Sequence, residues 1–166
     1  MEVTTLIIEA LIFIFPAYCA NAVPVIFGGG PPVDFGRSFN DGRPVLGKNK
    51  TFLGFFSGLI IGTAVGLLES VVFDYPINFG LILSLGALTG DLASSFLKRR
   101  LGLQPGDLLP VLDQIDFIIG AILFCTLFCS QILSPGMVIL VLILTPPIHL
   151  LTNYIAYHLG LKNNPW

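Results

Sequence analysis

The chain has 166 residues, of which 54% are hydrophobic and only 11% charged, and its formal net charge is −2. A soluble domain of this size carries roughly twice that share of charge, so the composition excludes an ordinary soluble protein and predicts an all-α integral membrane protein. Nothing in the charge balance points to nucleic acid as a partner.

About 20 residues of helix cross the hydrocarbon layer, and five segments near that length follow one another along the chain. The first, approximately Thr4–Phe27, has no Lys or Arg before it and is too long for the apolar core of a cleaved signal peptide, so it reads as a permanent helix. Pro16 and Pro24 should break or kink it. The loop after it carries Arg37, Arg43, Lys48 and Lys50. The second span, Phe52–Val72, repeats glycine at 54, 58, 62 and 66, and the third, Ile77–Leu97, has Gly86 and Gly90; such stripes favour close helix contact. The fourth span is expected at Ile115–Leu133 and the fifth at Met137–Leu159, which Pro146–Pro147 should likewise break or kink. Cys19, Cys125 and Cys129 all fall inside spans, where they act as small apolar residues rather than as disulfide or zinc partners. The whole chain, 1–166, reads as a single polytopic domain, and self-association into a homo-oligomer stays open.

All eight Lys and Arg residues fall on one side of this arrangement: four in the first loop, Lys98, Arg99 and Arg100 at the start of the third, and Lys162 in the tail. By the positive-inside rule the N-terminus is outside, the C-terminus is cytoplasmic, and the two long loops face the cytosol. Glu2, Glu69 and Asp74 sit on the opposite side. So many cations on one face of a small protein make a polyanion site plausible.

Residues 42–48 place Gly42, Gly47 and Lys48 at the spacing of a nucleotide-binding phosphate loop, but Asn49 stands where that motif needs Ser or Thr. A true phosphate loop also joins a buried strand to a helix, whereas Gly42 follows the polar stretch FGRSFND. The motif is therefore rejected. Lys48, Lys50 and the amides that open the second span remain suited to holding phosphate.

The most informative segment is GDLASSFLKRRLGLQPGDLLPVLDQID, Gly90 to Asp116. Helical spacing puts Asp91, Ser94, Ser95 and Lys98 on one face, and a carboxylate inside a membrane helix usually lines a polar cavity. An Asp91–Lys98 pair is the purely structural alternative. After a turn at Gly102, Pro105 and Gly106, Asp113 and Asp116 stand at i and i+3, where they repel unless a cation lies between them. Oxygen ligands beside phosphate-binding cations suit magnesium shared with a nucleotide; the alternative is favourable anions at a helix N-terminus. Asp107 is a further candidate to cap this turn. Glu9, Glu69, His149 and His158 carry no metal-ligand or nucleophile spacing, and no Ser–His or Cys–His triad can be assembled. Phosphoryl or nucleotidyl transfer needs no protein nucleophile, since positioning and charge neutralisation supply the catalysis.

The pattern G-D-L-x-x-S-x-x-K-R, a loop, then D-x-x-D resembles the signature of the CTP-dependent phosphatidate cytidylyltransferases, integral membrane enzymes that make CDP-diacylglycerol. Lys50-Thr51-x-x-Gly54 resembles that family's first loop, and the stretch PVIFGGGPPVDFGRSFNDGRPVLGKNKT in a short five-span chain is similar to its archaeal, CDP-archaeol-forming branch. The chain departs from the bacterial pattern at Gln104, Pro105 and Gln114, and lacks a His-Gly-Gly between Pro110 and Asp113. The resemblance implies transfer of CMP from CTP to an isoprenoid ether-lipid phosphate in the bilayer, at a site facing the cytoplasm. It implies Asp91, Lys98, Asp113 and Asp116 as catalytic, Lys48, Lys50, Thr51, Ser95, Lys98 and Arg99 as CTP-binding, and Asp91, Asp113 and Asp116 as ligands of Mg²⁺. The rival from another class is a small transporter or channel with Asp91 on the ion path and a binding site at the broken helices.

Overall fold

The computed structural model describes residues 3–165; Met1, Glu2 and Trp166 lie outside the described residues, and with them the expectation for Glu2. Five helices follow in order: α1 Val3–Phe27, α2 Phe52–Phe73, α3 Phe79–Arg100, α4 Leu112–Phe128 and α5 Pro135–His158, with a 3₁₀ turn at Ser130–Ile132. Among the described residues there is no strand, only isolated bridges pairing Pro32 with Thr51 and Ser38 with Pro44 in the first loop. α1, α2, α3 and α5 are each long and apolar enough to cross a bilayer.

Local chemistry sets the helix ends. Thr51 has extended backbone and accepts a hydrogen bond from the Gly54 amide at 3.1 Å, capping α2, as a threonine N-cap should. Asp74 ends the same helix in the left-handed region, φ 56°. α3 runs beyond the expected Leu97 through Lys98, Arg99 and Arg100, cations that its negative C-terminal end stabilises. Ser134 caps α5 by accepting from the Met137 amide at 3.2 Å, with Pro135 at the first helical position, where its missing N–H is harmless.

The fourth helix differs from its expected span. It begins at Leu112, so Asp113 and Asp116 lie inside its first turns, and it stops after 17 residues, where Cys129 leaves helical backbone at φ −145°. That is about 25 Å of helix, and the 3₁₀ turn carries the chain onward. α4 nevertheless traverses the bundle: its start lies beside the C-terminal part of α3, where Lys98 and Asp113 pair, while Cys129 beyond its end and Met137 on α5 share the core with Phe13 of α1.

Of the expected break or kink at the prolines, a break is not found: α1 and α5 continue as single helices through Pro16, Pro24, Pro146 and Pro147. The packing of α1 explains its case. Pro24 deprives the Ala20 carbonyl of its helical donor, and that carbonyl lies directly against Gly58, where any Cβ would strike it. In α5, Thr145 donates to the Val141 carbonyl at 2.6 Å and exchanges a 2.9 Å hydrogen bond with Tyr18 of α1. The glycine stripe of α2 is thus buried against α1 and α3: a Cβ on Gly62 would come within 2.8 Å of the Pro16 carbonyl, while Gly66 meets the backbone of Gly80. The core between the helices is built from Phe13, Phe79, Leu83, Phe117, Ile118 and Val141, and the outer faces expose side chains such as Leu68, Val71 and Leu127, an arrangement suited to lipid rather than water.

Candidate active site

Where α1, α3 and α5 end and α2 and α4 begin, the bundle holds a cavity of about 710 Å³, within the range of small-molecule and cofactor sites. Asp91, Ser95, Lys98 and Arg99 reach it from α3, Asp113 and Asp116 from α4, His149 and Asn153 from α5, and Lys48, Lys50 and Thr51 from the first loop. All nine residues expected in the site line this one space.

The first loop is shaped by an aspartate. Asp34 accepts backbone hydrogen bonds from Gly36 at 2.9 Å, Leu46 at 2.8 Å and Gly47 at 3.0 Å. Burial raises the pKa of this carboxyl, but the three amides outweigh it and hold the group below the usual aspartate value. Their combined pull folds residues 34–47 back on themselves and delivers Lys48 and Lys50 to the cavity. Gly47 sits at φ 104°, where a side chain would be strained.

Charges in the cavity are paired across the fold. Lys50 donates to both oxygens of Asp91, at 2.7 and 2.6 Å. Lys98 donates to Asp113 at 2.9 Å and to the Asp107 carbonyl at 3.3 Å. The structural alternative of an Asp91–Lys98 pair is therefore not the one found. Asp113 also accepts from the Leu109 amide at 2.9 Å through the same oxygen that meets Lys98, while its other oxygen is buried without a hydrogen-bond partner. Val111, just before α4, is held at φ 66°, a costly conformation for a β-branched residue, so the turn that places Asp113 is strained. Asp107 caps the preceding turn, as expected, by accepting from the Gln104 amide at 2.6 Å.

Arg99 is only 4% exposed, and its Nε and Nη1 have no hydrogen-bond partner. A buried guanidinium with unused donors beside a cavity is chemically an anion receptor. Arg43 and Arg100 have other work: Arg43 donates to the carbonyls of Arg99 and Arg100 at the end of α3, while Arg100 pairs with Asp41 and lies over the rings of Phe39 and Phe96, 4.8 and 4.9 Å away. Thr51 likewise spends its hydroxyl on the cap of α2 and on the Gly29 amide, 3.3 Å away. Ser94 and Ser95 diverge, for Ser95 faces this cavity and Ser94 faces the seam with α4.

The carboxylates of Asp91 and Asp116 lie close enough to repel one another, yet among the described residues no three His, Cys, Asp or Glu side chains converge as a ready-made metal cluster. Asp91 and Asp113 are instead neutralised by lysines. A repelling pair of carboxylates and a nearby buried oxygen without a partner are a donor set fit for a hard divalent cation that brings further oxygens with its ligand.

These features define a class: a multi-pass helical membrane protein with a charged cavity sunk into one end of its bundle. The particular family follows from comparison. A family model described as CarS-like, CDP-archaeol synthase, matches residues 3–166. CDP-archaeol synthase of Methanococcus aeolicus is 46% identical with both chains covered in full, that of Methanopyrus kandleri 48% identical over 95% of this chain and 92% of the relative, and that of Pyrococcus furiosus 44% identical over 96% and 98%. A solved structure described as an intramembrane enzyme for archaeal membrane lipids biosynthesis aligns with a TM-score of 0.79 at 38% identity, covering 89% of this chain and 94% of that one. The chain belongs to the CDP-archaeol synthase family. The transporter reading finds no support in these similarities.

Sequence reasoning passed over several residues of the cavity. Lys162 has only the signal of a tail cation in the sequence, and His149 has no ligand or nucleophile spacing; both line the cavity, with Asn153, Asn163 and Asn164. Asn153 places its amide nitrogen 3.2 Å from His149 Nδ1. Burial, then the neighbouring charge of Lys50, hold the Lys162 ammonium below the ordinary lysine pKa against the pull of Asp113. The run of polar residues LKNNP after a long apolar helix was the available signal.

Proposed function

We propose that this chain transfers CMP from CTP to an isoprenoid ether-lipid phosphate, 2,3-bis-geranylgeranylglyceryl phosphate, giving CDP-archaeol and pyrophosphate. One observation carries the reading: Lys50, Lys98, Arg99 and Lys162 meet Asp91, Asp113 and Asp116 in a single cavity between membrane helices, in a chain of the CDP-archaeol synthase family.

An oxygen of the lipid phosphate attacks the α-phosphorus of CTP. The new bond joins that oxygen to the α-phosphorus, the bond from the α-phosphorus to the bridging β-oxygen breaks, and pyrophosphate leaves with the electron pair. A phosphate monoester loses its second proton near pH 6, so the attacking oxygen is already ionised and no general base is needed. The barrier is repulsion between two polyanions. Lys48, Lys50, Lys98, Arg99 and Lys162 offset it and hold the triphosphate in line, while Ser95 and Thr51 bound the pocket beside it. Asp91, Asp113 and Asp116 would hold Mg²⁺, which supplies charge neutralisation on the phosphates. With that ion and CTP in place, Lys50 and Lys98 would shift from the carboxylates toward phosphate oxygens.

The placement of every Lys and Arg toward the cavity end supports a cytoplasmic site by the positive-inside rule, with the N-terminus outside. We take the chain to work as one polytopic domain that meets CTP from the cytosol and its lipid from the bilayer. The test is release of pyrophosphate from CTP by purified protein in lipid nanodiscs. Turnover should require both the lipid phosphate and Mg²⁺, and absence of turnover with any lipid phosphate overturns the reading.

A further inference from the structure

On the outer side of the α3–α4 seam lies a second, smaller cavity of about 420 Å³, bounded only by residues of those two helices, Ala93, Leu97, Ile119 and Leu123 among them. Leu97, Ile119 and Leu123 are 45%, 47% and 54% exposed, so the groove is open sideways to the surroundings of the bundle. Its lining also includes two polar residues, Asp116 and the buried Ser94, and Asp116 also lines the charged cavity. The two spaces therefore meet at one side chain.

The seam has a physical cause. Gly86 and Gly90 of α3 meet Gly120 of α4 so closely that a Cβ on Gly120 would lie 2.9 Å from the Gly90 Cα. Helices in such contact leave a shallow trough beside the line of touch, and the small Ala93 deepens it. Along α4 the trough extends from Leu112 to Phe124, about 18 Å at 1.5 Å per residue. One leaflet of a hydrocarbon core about 30 Å thick spans about 15 Å. The trough is thus a single leaflet deep, apolar along its length, and polar where it joins the charged cavity.

Resting on the reaction proposed above, we infer that this groove seats an isoprenoid chain of the lipid phosphate and brings its headgroup past Asp116 to the α-phosphorus of CTP. A polar or peptide occupant would leave its hydrogen-bonding groups unmet along the apolar wall.

Ala93→Trp fills the groove from a position that does not line the charged cavity, and Ile60→Trp places the same side chain at an exposed position on α2. The lipid KM of Ala93→Trp should rise about tenfold with little change in kcat, the sign of lost uniform binding, while its Kd for CTP stays within about twofold of wild type and Ile60→Trp behaves as wild type. An unchanged lipid KM, or a matching loss of CTP affinity, overturns the groove. A bis-geranylgeranylglyceryl phosphate carrying a diazirine at one chain end supplies a readout independent of turnover: labelling within residues 89–97 or 112–124 supports the groove, and labelling confined to α2 or α5 overturns it. Failure of the wild type to turn over CTP would instead sink the reaction, and the diazirine label would still decide the groove.

Discussion

Two pairs of helices in this bundle close by the same device and then diverge. α1 packs against α2 at Gly54, Gly58 and Gly62, and Gly66 carries the same close contact on to Gly80 of α3, so the stripe is filled nearly the length of α2. α3 and α4 meet at Gly86, Gly90 and Gly120, but the stripe stops there, and the next turns carry Asp91, Ser95 and Lys98 opposite Asp113 and Asp116. A long run of small residues makes a sealed seam, and a short run makes a hinge point from which two helices open around charge. The length of the stripe, rather than its presence, decides which pair builds a scaffold and which holds a site.

The sharpest way to break this contrast is at the open end. Asp91→Asn and Asp113→Asn should each lower kcat/KM by about 10²–10³, measured as pyrophosphate release from CTP, with the melting temperature changed little. If the Lys50–Asp91 pair served structure alone, the exchange of Lys50→Asp with Asp91→Lys would restore activity; the expected outcome is a protein that folds and stays inactive. At the sealed end, Gly62→Leu should act in the opposite sense. It forces atoms into the Pro16 carbonyl and Ala20, and overpacking of that kind costs about 3 kcal/mol, seen as a lower melting temperature that saturating CTP does not restore fully.

The contrast was partly visible in the amino-acid sequence. Apolar runs marked the helices, and ionisable residues inside them marked the site because burying charge in a bilayer is expensive. Pairing was hidden, since Lys50 and Asp91 are 41 positions apart and no periodicity links a loop to a helix. The end of α4 was hidden for another reason: hydropathy continues to Leu133, while the backbone changes to 3₁₀ after Cys129. Adjacent Ser94 and Ser95 could not be told apart by composition, yet about 100° of helical rotation sends one to the groove and the other to the cavity. Asp34 carried no pattern, because its task is to gather amides from its own loop.

That loop yields an intermediate effect. Asp34→Asn should cost about 2 kcal/mol through weakened charge-assisted hydrogen bonds and raise the KM for CTP by misplacing Lys48 and Lys50. The folded pKa of Asp34 is depressed, so its stabilisation is fully present above the unfolded value, about 3.9, and is lost as pH falls through the lower folded value. The gap in melting temperature between wild type and Asp34→Asn should therefore be constant near neutrality and narrow only in acid. A gap that is already closed at pH 6 would assign the loop's shape to other contacts.

The smallest effect belongs to the tail. Lys162 lines the cavity from outside the helices, and as a proposed fifth cation on the triphosphate it gives a defined expectation: Lys162→Gln should raise the KM for CTP by about tenfold and leave the KM for the lipid nearly unchanged. Because burial and Lys50 depress its pKa, Lys162 in the free enzyme sheds its proton at lower pH than an ordinary lysine. Affinity for CTP in the wild type should accordingly decline on the alkaline side, and the part of that decline due to Lys162 should be absent in Lys162→Gln. An identical alkaline profile in the two proteins would remove Lys162 from the triphosphate and leave Lys48, Lys50, Lys98 and Arg99 to hold it, so that the charge needed for catalysis would come from α3 and the first loop alone.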